Sequence, residues 1–328
     1  MTLAADVLPD EPLFAFIREA CAEVARRARM VKIESAELER FASVLAQHRP
    51  KPPQLDPAHL AFRDDAATVA FALTLNAINF GSGYFPHLKK NGELSGYRTV
   101  ATALRQRFER EGPYSAAQLA RASLADCAKL FGQDEAGPAG ELMGLFARAW
   151  NELGGWLLNG YGGAFDGPVK EARGSAERLT RLLARMPMYQ DVATYQGFRV
   201  PFLKRAQITC ADLATALRGR GLGRFDDLAK LTIFADNLVP HTLRMLGVLS
   251  YDLLLLQRIE REEEIPSGSE EEVEIRACAL HAVELLSAAC ERRGYAVAPH
   301  KLDLLLWSRG QSPAIKAKPR HRTRCSFY

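Results

Sequence analysis

The chain has 328 residues, 48% hydrophobic and 25% charged, with a formal net charge of +4 from 43 basic and 39 acidic side chains. That is the balance of a folded globular protein, and it excludes a disordered chain, which lacks the apolar surface to offset chain entropy. The small positive excess falls short of the clustered basic footprint of a nucleic-acid binder, and no apolar run approaches the ~20 residues of a membrane-spanning helix.

The start, residues 1–12, carries Asp6, Asp10 and Glu11 and lacks the basic and apolar regions of a signal peptide, so a cytoplasmic protein is expected. Apolar residues three and four apart predict helices over 13–30 and 34–46. Pro50, Pro52, Pro53 and Pro57 then mark a loop. Residues 64–78 read as a helix whose leading Asp64 and Asp65 suit the positive end of its dipole. Residues 79–86 read as a glycine-rich turn with aromatics, and helices follow at 97–110, 116–124 (Ser115 as N-cap), 140–158 and 172–185. Residues 192–195 and 198–202, joined by Gln196-Gly197, predict a β-hairpin, with Gly197 supplying positive φ and Pro201 confining its strand to an edge. A helix over 204–217, a tight glycine hairpin at 218–224, and helices at 228–234, 240–249, 252–261, 270–293 and 301–308 complete the pattern, before a basic tail, 316–328, with an aromatic end. No repeat and no Gly/Ser linker interrupts the chain, so the expectation is one mostly α unit over 1–328 with one small β-hairpin.

Cys21, Cys127, Cys210, Cys278, Cys290 and Cys325 include no C-x-x-C pair, which argues against zinc ribbons and thioredoxin-type sites and leaves small core hydrophobes. The 7 histidines form no metal pattern, since His281 and Glu284 make only an H-x-x-E fragment; no metal or other cofactor is expected. No G-x-S-x-G elbow is present. The 79–84 turn contains G-x-G but lacks the rest of a dinucleotide or phosphate-loop fingerprint. It reads either as a helix C-cap or as a ligand wall, with Asn79 and glycine backbone exposed and Phe80 and Tyr84 free to stack on a planar ring.

The most informative stretch joins Leu217-Arg-Gly-Arg-Gly-Leu-Gly-Arg-Phe225 to Phe234-Ala-Asp236-Asn-Leu-Val-Pro-His-Thr-Leu-Arg-Met-Leu-Gly247. A helix, a glycine hairpin, a second helix and an Asp opening a third resemble the helix–hairpin–helix DNA glycosylases, with His241, Leu243, Arg244, Leu246 and Gly247 similar to their pattern after the Asp. A helix start favours negative charge, and a fixed carboxylate beside an anomeric carbon can stabilise an oxocarbenium ion, attack it or activate water. The plainer reading of Asp236 is a helix cap.

Read together, Asn79-Phe80, Ser95-Gly96-Tyr97, Phe202-Leu-Lys-Arg-Ala-Gln-Ile208, Phe234-Ala-Asp236, Glu272-Val-Glu-Ile-Arg276 and His321-Arg-Thr-Arg-Cys325 resemble the queuosine salvage protein family. The resemblance runs from about Asn79 to Tyr328, with residues 1–60 matching weakly. It implies a DNA-glycosylase-like helical fold and an N-glycosidase that hydrolyses queuosine 5′-monophosphate, releasing queuine for salvage into tRNA modification. It places the catalytic Asp of the family on Asp236, followed here by Asn237 where many members have Tyr.

What the resemblance implies for the site follows from the substrate. Queuosine has a deazaguanine base with a cationic cyclopentenediol amine arm, and carbon stands where protonation of N7 would ease cleavage of guanosine. The pocket must therefore stabilise both a ribosyl cation, the task of Asp236, and a departing base anion. Lys204 and Arg205, opening a helix after the hairpin, are candidates for the 5′-phosphate, together with His321, Arg322 and Arg324 of a tail expected to pack near the site. The base would stack on Phe80, Tyr84 or Phe234; Asp212, Glu272 or Glu274 would meet the amine, unless Glu274 pairs with Arg276 along its helix. Asn79, Asn237 and His241 complete the candidate contacts. The expected partner is a small-molecule substrate, with no membrane and no stable nucleic-acid complex. The alternative, a non-catalytic tRNA or DNA binder on the same scaffold, is disfavoured by the small net charge.

Overall fold

The computed structural model describes residues 8–51, 53, 61–92 and 94–328. The first seven residues of the acidic start, and Pro52 and Pro57 of the proline loop, lie outside them.

Helices α1 (Leu13–Arg27) and α2 (Ser35–His48) flank a short strand, β1 (Val31–Ile33). Helix α3 (Asp65–Ala77) opens on Asp64, whose side chain accepts from Ala67 N–H, and every residue from Ala67 to Ala77 is buried. A helix apolar on all sides belongs in a core. Helices α4 (Gly96–Glu111), α5 (Ala116–Leu119), α6 (Leu124–Phe131), α7 (Gly137–Tyr161), α8 (Gly167–Ala172) and α9 (Ala176–Leu183) wrap it. The hairpin β2 (Val192–Tyr195) and β3 (Phe198–Pro201) leads into α10 (Lys204–Ala216). After a glycine-rich segment come α11 (Leu238–Met245), β4 (Leu249–Tyr251), α12 (Leu253–Glu260), α13 (Glu270–Arg292), α14 (Pro299–Gly310) and α15 (Pro313–Lys316).

Helix α13 is the second axis of the molecule. Its N-cap Ser269 accepts from Glu272 N–H, three glutamates fill its first turn, and it is buried without interruption from Glu272 to Leu280. The face of α1 made by Phe14, Ile17, Cys21 and Val24 packs on it, as do α2, α11, α14 and both small sheets. The buried apolar cluster is continuous from Leu13 to Leu306. Among the described residues, no helix is long and apolar enough to cross a membrane.

The predicted hairpin forms with Tyr195 opposite Phe198, so Gln196 and Gly197 alone make the turn. Both have positive φ, 44° and 87°, the type I′ geometry that matches strand twist. A second antiparallel pair, β1 with β4, aligns Val31 with Tyr251 and Ile33 with Leu249; three-residue strands are too short to show a period of two. The helix expected over 240–249 therefore ends at Met245, released by Gly247 at φ 76°. The helix expected over 116–124 is two helices, because Ser123 and Asp126 form a capping box that restarts the chain as α6.

The largest departure is at 228–234. Only a 3₁₀ turn forms, Leu228–Lys230, and the chain then runs extended and buried through Phe234. Side chains take the amides that a helix would use: Thr232 N–H donates to Gln207 Oε1 at 2.9 Å and Phe234 N–H to Asp303 Oδ1 at 2.9 Å. The glycine hairpin is thus followed by a buried extended arm rather than by the second helix of a helix–hairpin–helix.

Candidate active site

That extended arm ends at Asp236, half-buried at the start of α11. Its Oδ1 accepts from Leu238 N–H at 2.8 Å and Val239 N–H at 3.0 Å. Asn237 occupies the N-cap position without a side-chain cap bond, so Asp236 caps the helix from one residue upstream. Its Oδ2 accepts no hydrogen bond from the described residues. One carboxylate oxygen is thus fixed by the helix and the other is left for a ligand.

Three charged or titrating side chains lie within the field of Asp236: Lys204, Asp303 and Arg320. Lys204 is buried and donates through Nζ to the Asn79 carbonyl at 2.9 Å and to Asn79 Oδ1 at 3.2 Å. Asn79 Nδ2 donates to Asn76 Oδ1 at 2.9 Å, and Asn76 Nδ2 to Asp212 Oδ2 at 2.9 Å. An ammonium at one end and a carboxyl oxygen at the other orient both amides. Burial pushes the Lys204 ammonium down to about 8, against the opposing pull of the Asp236 carboxylate. Burial likewise pushes Asp212 up to about 6, opposed by the Asn76 hydrogen bond. Asp303, from α14, is pushed up to about 8, first by burial and then by the charge of Asp236.

Arg320, in the tail, is lowered by burial, and Asp236 opposes that shift. Next along lies Lys316, lowered by burial and by the like charges of Arg320, Arg98 and Lys90. The fold therefore gathers cations from residues 90–98 and from the tail around Lys316, and of these Arg320 lies in the field of Asp236. None of the four stands in a sequence pattern, because the two segments are far apart in the chain.

The tail packs against this region. The Tyr328 carbonyl accepts from Gly81 N–H at 2.9 Å and from Ser82 N–H at 3.3 Å. Gly83 permits the contact, since a Cβ there would sit 2.2 Å from the Thr323 carbonyl oxygen. His321 is buried against Tyr328, and burial holds its pKa down to about 3. His241 is held down to about 4 by burial; its Nε2 lies 3.0 Å from the Ile315 carbonyl and so carries the proton, leaving Nδ1 to face Arg244 Nη2 at 3.3 Å.

Several predicted contacts are committed elsewhere. Arg205 lies between the rings of Phe80 and Tyr189, 4.7 and 4.5 Å from their centroids, and donates to the Ala77 and Met188 carbonyls. It is a strut of the core with no donor face for a phosphate. Phe80, 2% exposed, packs edge-on against Phe146 and has no free face for a base. The hydroxyl of Tyr84 donates to Glu141 Oε1 at 2.7 Å, and its ring faces Arg324. Arg322 pairs with Glu262 at 2.6 Å, and Arg324 with Glu264 at 3.4 Å and Glu141 at 3.8 Å. Glu272, not Glu274, pairs with Arg276, at 3.3 Å, while Glu274 accepts from the Arg29, Met30 and Val31 amides and from Tyr195 OH. Neither glutamate is free to meet a ligand amine. Phe234, two residues before Asp236, is buried in the apolar cluster and makes no aromatic-pair or cation–π contact among the described residues. No group of three or more His, Cys, Asp or Glu side chains among those residues has metal-holding geometry.

Known proteins match this chain over most of its length. The family model described as "Queuosine salvage protein" matches residues 58–328. A Sphaerobacter thermophilus protein named queuosine 5′-phosphate N-glycosylase/hydrolase is 37% identical over 311 residues, spanning 93% of this chain and 95% of that one. A Bos taurus protein of the same name is 30% identical over 335 residues, spanning 95% and 98%, and a Mus musculus one 35% identical over 245 residues, spanning 71% and 72%. With a helical scaffold that delivers a half-held carboxylate beside a buried ammonium, and with relatives matched over nearly their whole length, the chain belongs to the queuosine salvage protein family.

Proposed function

We propose that this protein is an N-glycosidase that hydrolyses queuosine 5′-monophosphate and releases queuine, with Asp236 at the anomeric centre, a reading supported by relatives named queuosine 5′-phosphate N-glycosylase/hydrolase. The observation that carries the assignment is the division of labour within one carboxylate: Oδ1 is held by two α11 amides, and Oδ2 is left toward the site. In that position Oδ2 stabilises the positive charge that develops on the ribosyl ring as the glycosidic bond breaks, an interaction stronger in the transition state than in the bound substrate. The base departs with negative charge. Lys204, which spends two of its three N–H donors on Asn79, keeps one for the site. Asp303, pushed up to about 8, retains its proton at neutral pH and is the second proton-bearing group there.

The phosphate assignment shifts from the residues that the sequence singled out. Arg205, Arg322 and Arg324 are spent on carbonyls and carboxylates, whereas Arg320, Arg98 and Lys90 all press on the Lys316 ammonium, and Arg320 lies in the field of Asp236. A dianionic phosphate relieves that repulsion, and its binding energy positions the glycosidic bond at Asp236. Incubation with queuosine 5′-monophosphate and mass-spectrometric assay of free queuine tests the reading. Release by the wild type and its loss in Asp236→Asn support it; no release by the wild type overturns it.

A further inference from the structure

Helix α13 carries a guanidinium that no step above uses. Arg276 is 2% exposed and lies between the rings of Phe202 and Tyr328, 3.9 and 4.4 Å from their centroids. Its Nη1 and Nη2 grip the two oxygens of Asp191 at 2.9 and 2.7 Å, Nη1 also meets Glu272 Oε1 at 3.3 Å, and Nε donates to the Ala235 carbonyl at 3.0 Å. All three guanidinium nitrogens are engaged by the protein and both faces are covered, so Arg276 does not touch a ligand.

What it holds is specific. Ala235 is the residue immediately before Asp236. Asp191 accepts from Lys204 N–H through Oδ2 at 3.2 Å, and its carbonyl accepts from the Phe202 and Leu203 amides at 2.9 and 3.3 Å. Leu203 sits in the left-handed region at φ 51°, a conformation that a non-glycine residue adopts only when its surroundings hold it there. One bidentate pair therefore grips the main chain on both sides of the site, behind Asp236 at the start of α11 and behind Lys204 at the start of α10. A buried ion pair adds little net stability over well-packed apolar side chains, because desolvation consumes most of the attraction. Its use lies in direction: a fork that meets a carboxylate through two parallel bonds fixes angle as well as distance.

We propose that Arg276, through Asp191 and the Ala235 carbonyl, is a positioning residue for catalysis: the pair sets where the Asp236 carboxylate and the Lys204 ammonium stand relative to each other and to the bond that breaks. The proposal rests on the assignment of Asp236 above. Misplacing a reacting group by ~1 Å can cost about a hundredfold in rate, and the loss falls on kcat because substrate binding does not depend on the pair.

The test measures kcat, KM and Tm with queuosine 5′-monophosphate for Arg276→Lys, Asp191→Asn, their double variant, Tyr195→Phe and Asp236→Asn, with rates expressed per folded molecule. Arg276→Lys and Asp191→Asn should each lower kcat about tenfold to a hundredfold with KM nearly unchanged, and the double variant should be no slower than the slower single one, because the two act as a unit. Tyr195→Phe removes a buried hydrogen bond between the same hairpin and α13; it should lower Tm and leave kcat alone, which separates positioning from plain stability. Wild-type kcat in folded Arg276→Lys or Asp191→Asn overturns the proposal. So does failure of both to fold, which would make the pair a fold element. Wild-type turnover in Asp236→Asn overturns the assignment of Asp236 and this proposal together, whereas a dead Asp236→Asn beside a normal Arg276→Lys overturns the positioning role alone.

Discussion

The protein buries two groups of charge side by side, and they are built in opposite ways. Around Arg276, burial alone would depress the guanidinium, but Asp191 and Glu272 overcome it and raise its pKa, and all three guanidinium nitrogens donate to protein oxygens. Around Asp236 the balance is left open. Lys204 is pushed down to about 8, Asp303 up to about 8, and Arg320, Arg98 and Lys90 lower the Lys316 ammonium. A scaffold that satisfies one group so fully and leaves its neighbour unsatisfied has placed its strain where a ligand will relieve it. On the proposed assignment, the phosphate and the ribosyl cation supply the missing charges.

The comparison can be broken from the satisfied side first. Arg276→Met leaves the Asp191 and Glu272 carboxylates buried without their partner, and should cost ~3–5 kcal/mol of stability, read as a fall in Tm or in the denaturation midpoint. A change within error would mean that the two carboxylates find water or protons at little cost.

On the open side, Arg320→Ala should lower kcat/KM for the monophosphate by about tenfold to a hundredfold, the scale of ~1.5–3 kcal/mol for a hydrogen bond to a charged group, and barely affect the nucleoside. Equal losses for both substrates would remove the phosphate from the Lys90–Arg98–Lys316–Arg320 group.

A smaller effect is expected from pH. Lys204 loses its proton near 8, and so does Asp303, so a mechanism that uses both protonated groups predicts that kcat declines as pH rises through about 8. A pH profile flat to pH 9.5, roughly one and a half units beyond that value, would show that neither proton matters.

A second pH effect is on stability. Asp303 holds its proton in the folded state up to about 8, whereas in an unfolded chain it would release it near ~3.9. Its contribution is therefore complete below that lower value and is lost as pH rises toward 8. Asp303→Asn keeps an acceptor for Phe234 N–H and lacks this loss, so its Tm relative to the wild type should be higher at pH 8 than at pH 5. A constant difference would mean that Asp303 is not held protonated.

Much of this was legible in the residues, and the reasons for the rest are physical. Long helices announce themselves through apolar spacing, and Gln196-Gly197 through the one turn that its strands allow. Asp236 stood out because a carboxylate opening a helix after a glycine hairpin resembles the layout of the helix–hairpin–helix glycosylases. The K-R-A-Q-I block shows the limit. Lys204 and Arg205 are adjacent and alike in sequence, yet successive residues of a helix point about 100° apart; one reaches the site and the other props Phe80 and Tyr189 in the core. Gln207, in the same block but given no role from the sequence, replaces a helical carbonyl for Thr232 and so supports the extended arm at 231–234 that leads to Asp236. The phosphate candidates were missed because Arg98 and Arg320 share no local pattern, and only the return of the tail brings them together.

The central claim is that the charge of Asp236, not its capping, drives the reaction. Asp236→Asn is the direct measurement: kcat and KM for queuosine 5′-monophosphate beside the Tm of the variant. Asn caps a helix as well as Asp does, so the account predicts a Tm close to wild type, a KM little changed, and kcat lower by about a hundredfold or more, the loss typical of one electrostatic stabiliser. A folded variant with wild-type kcat would contradict it and leave Asp236 as the cap of α11.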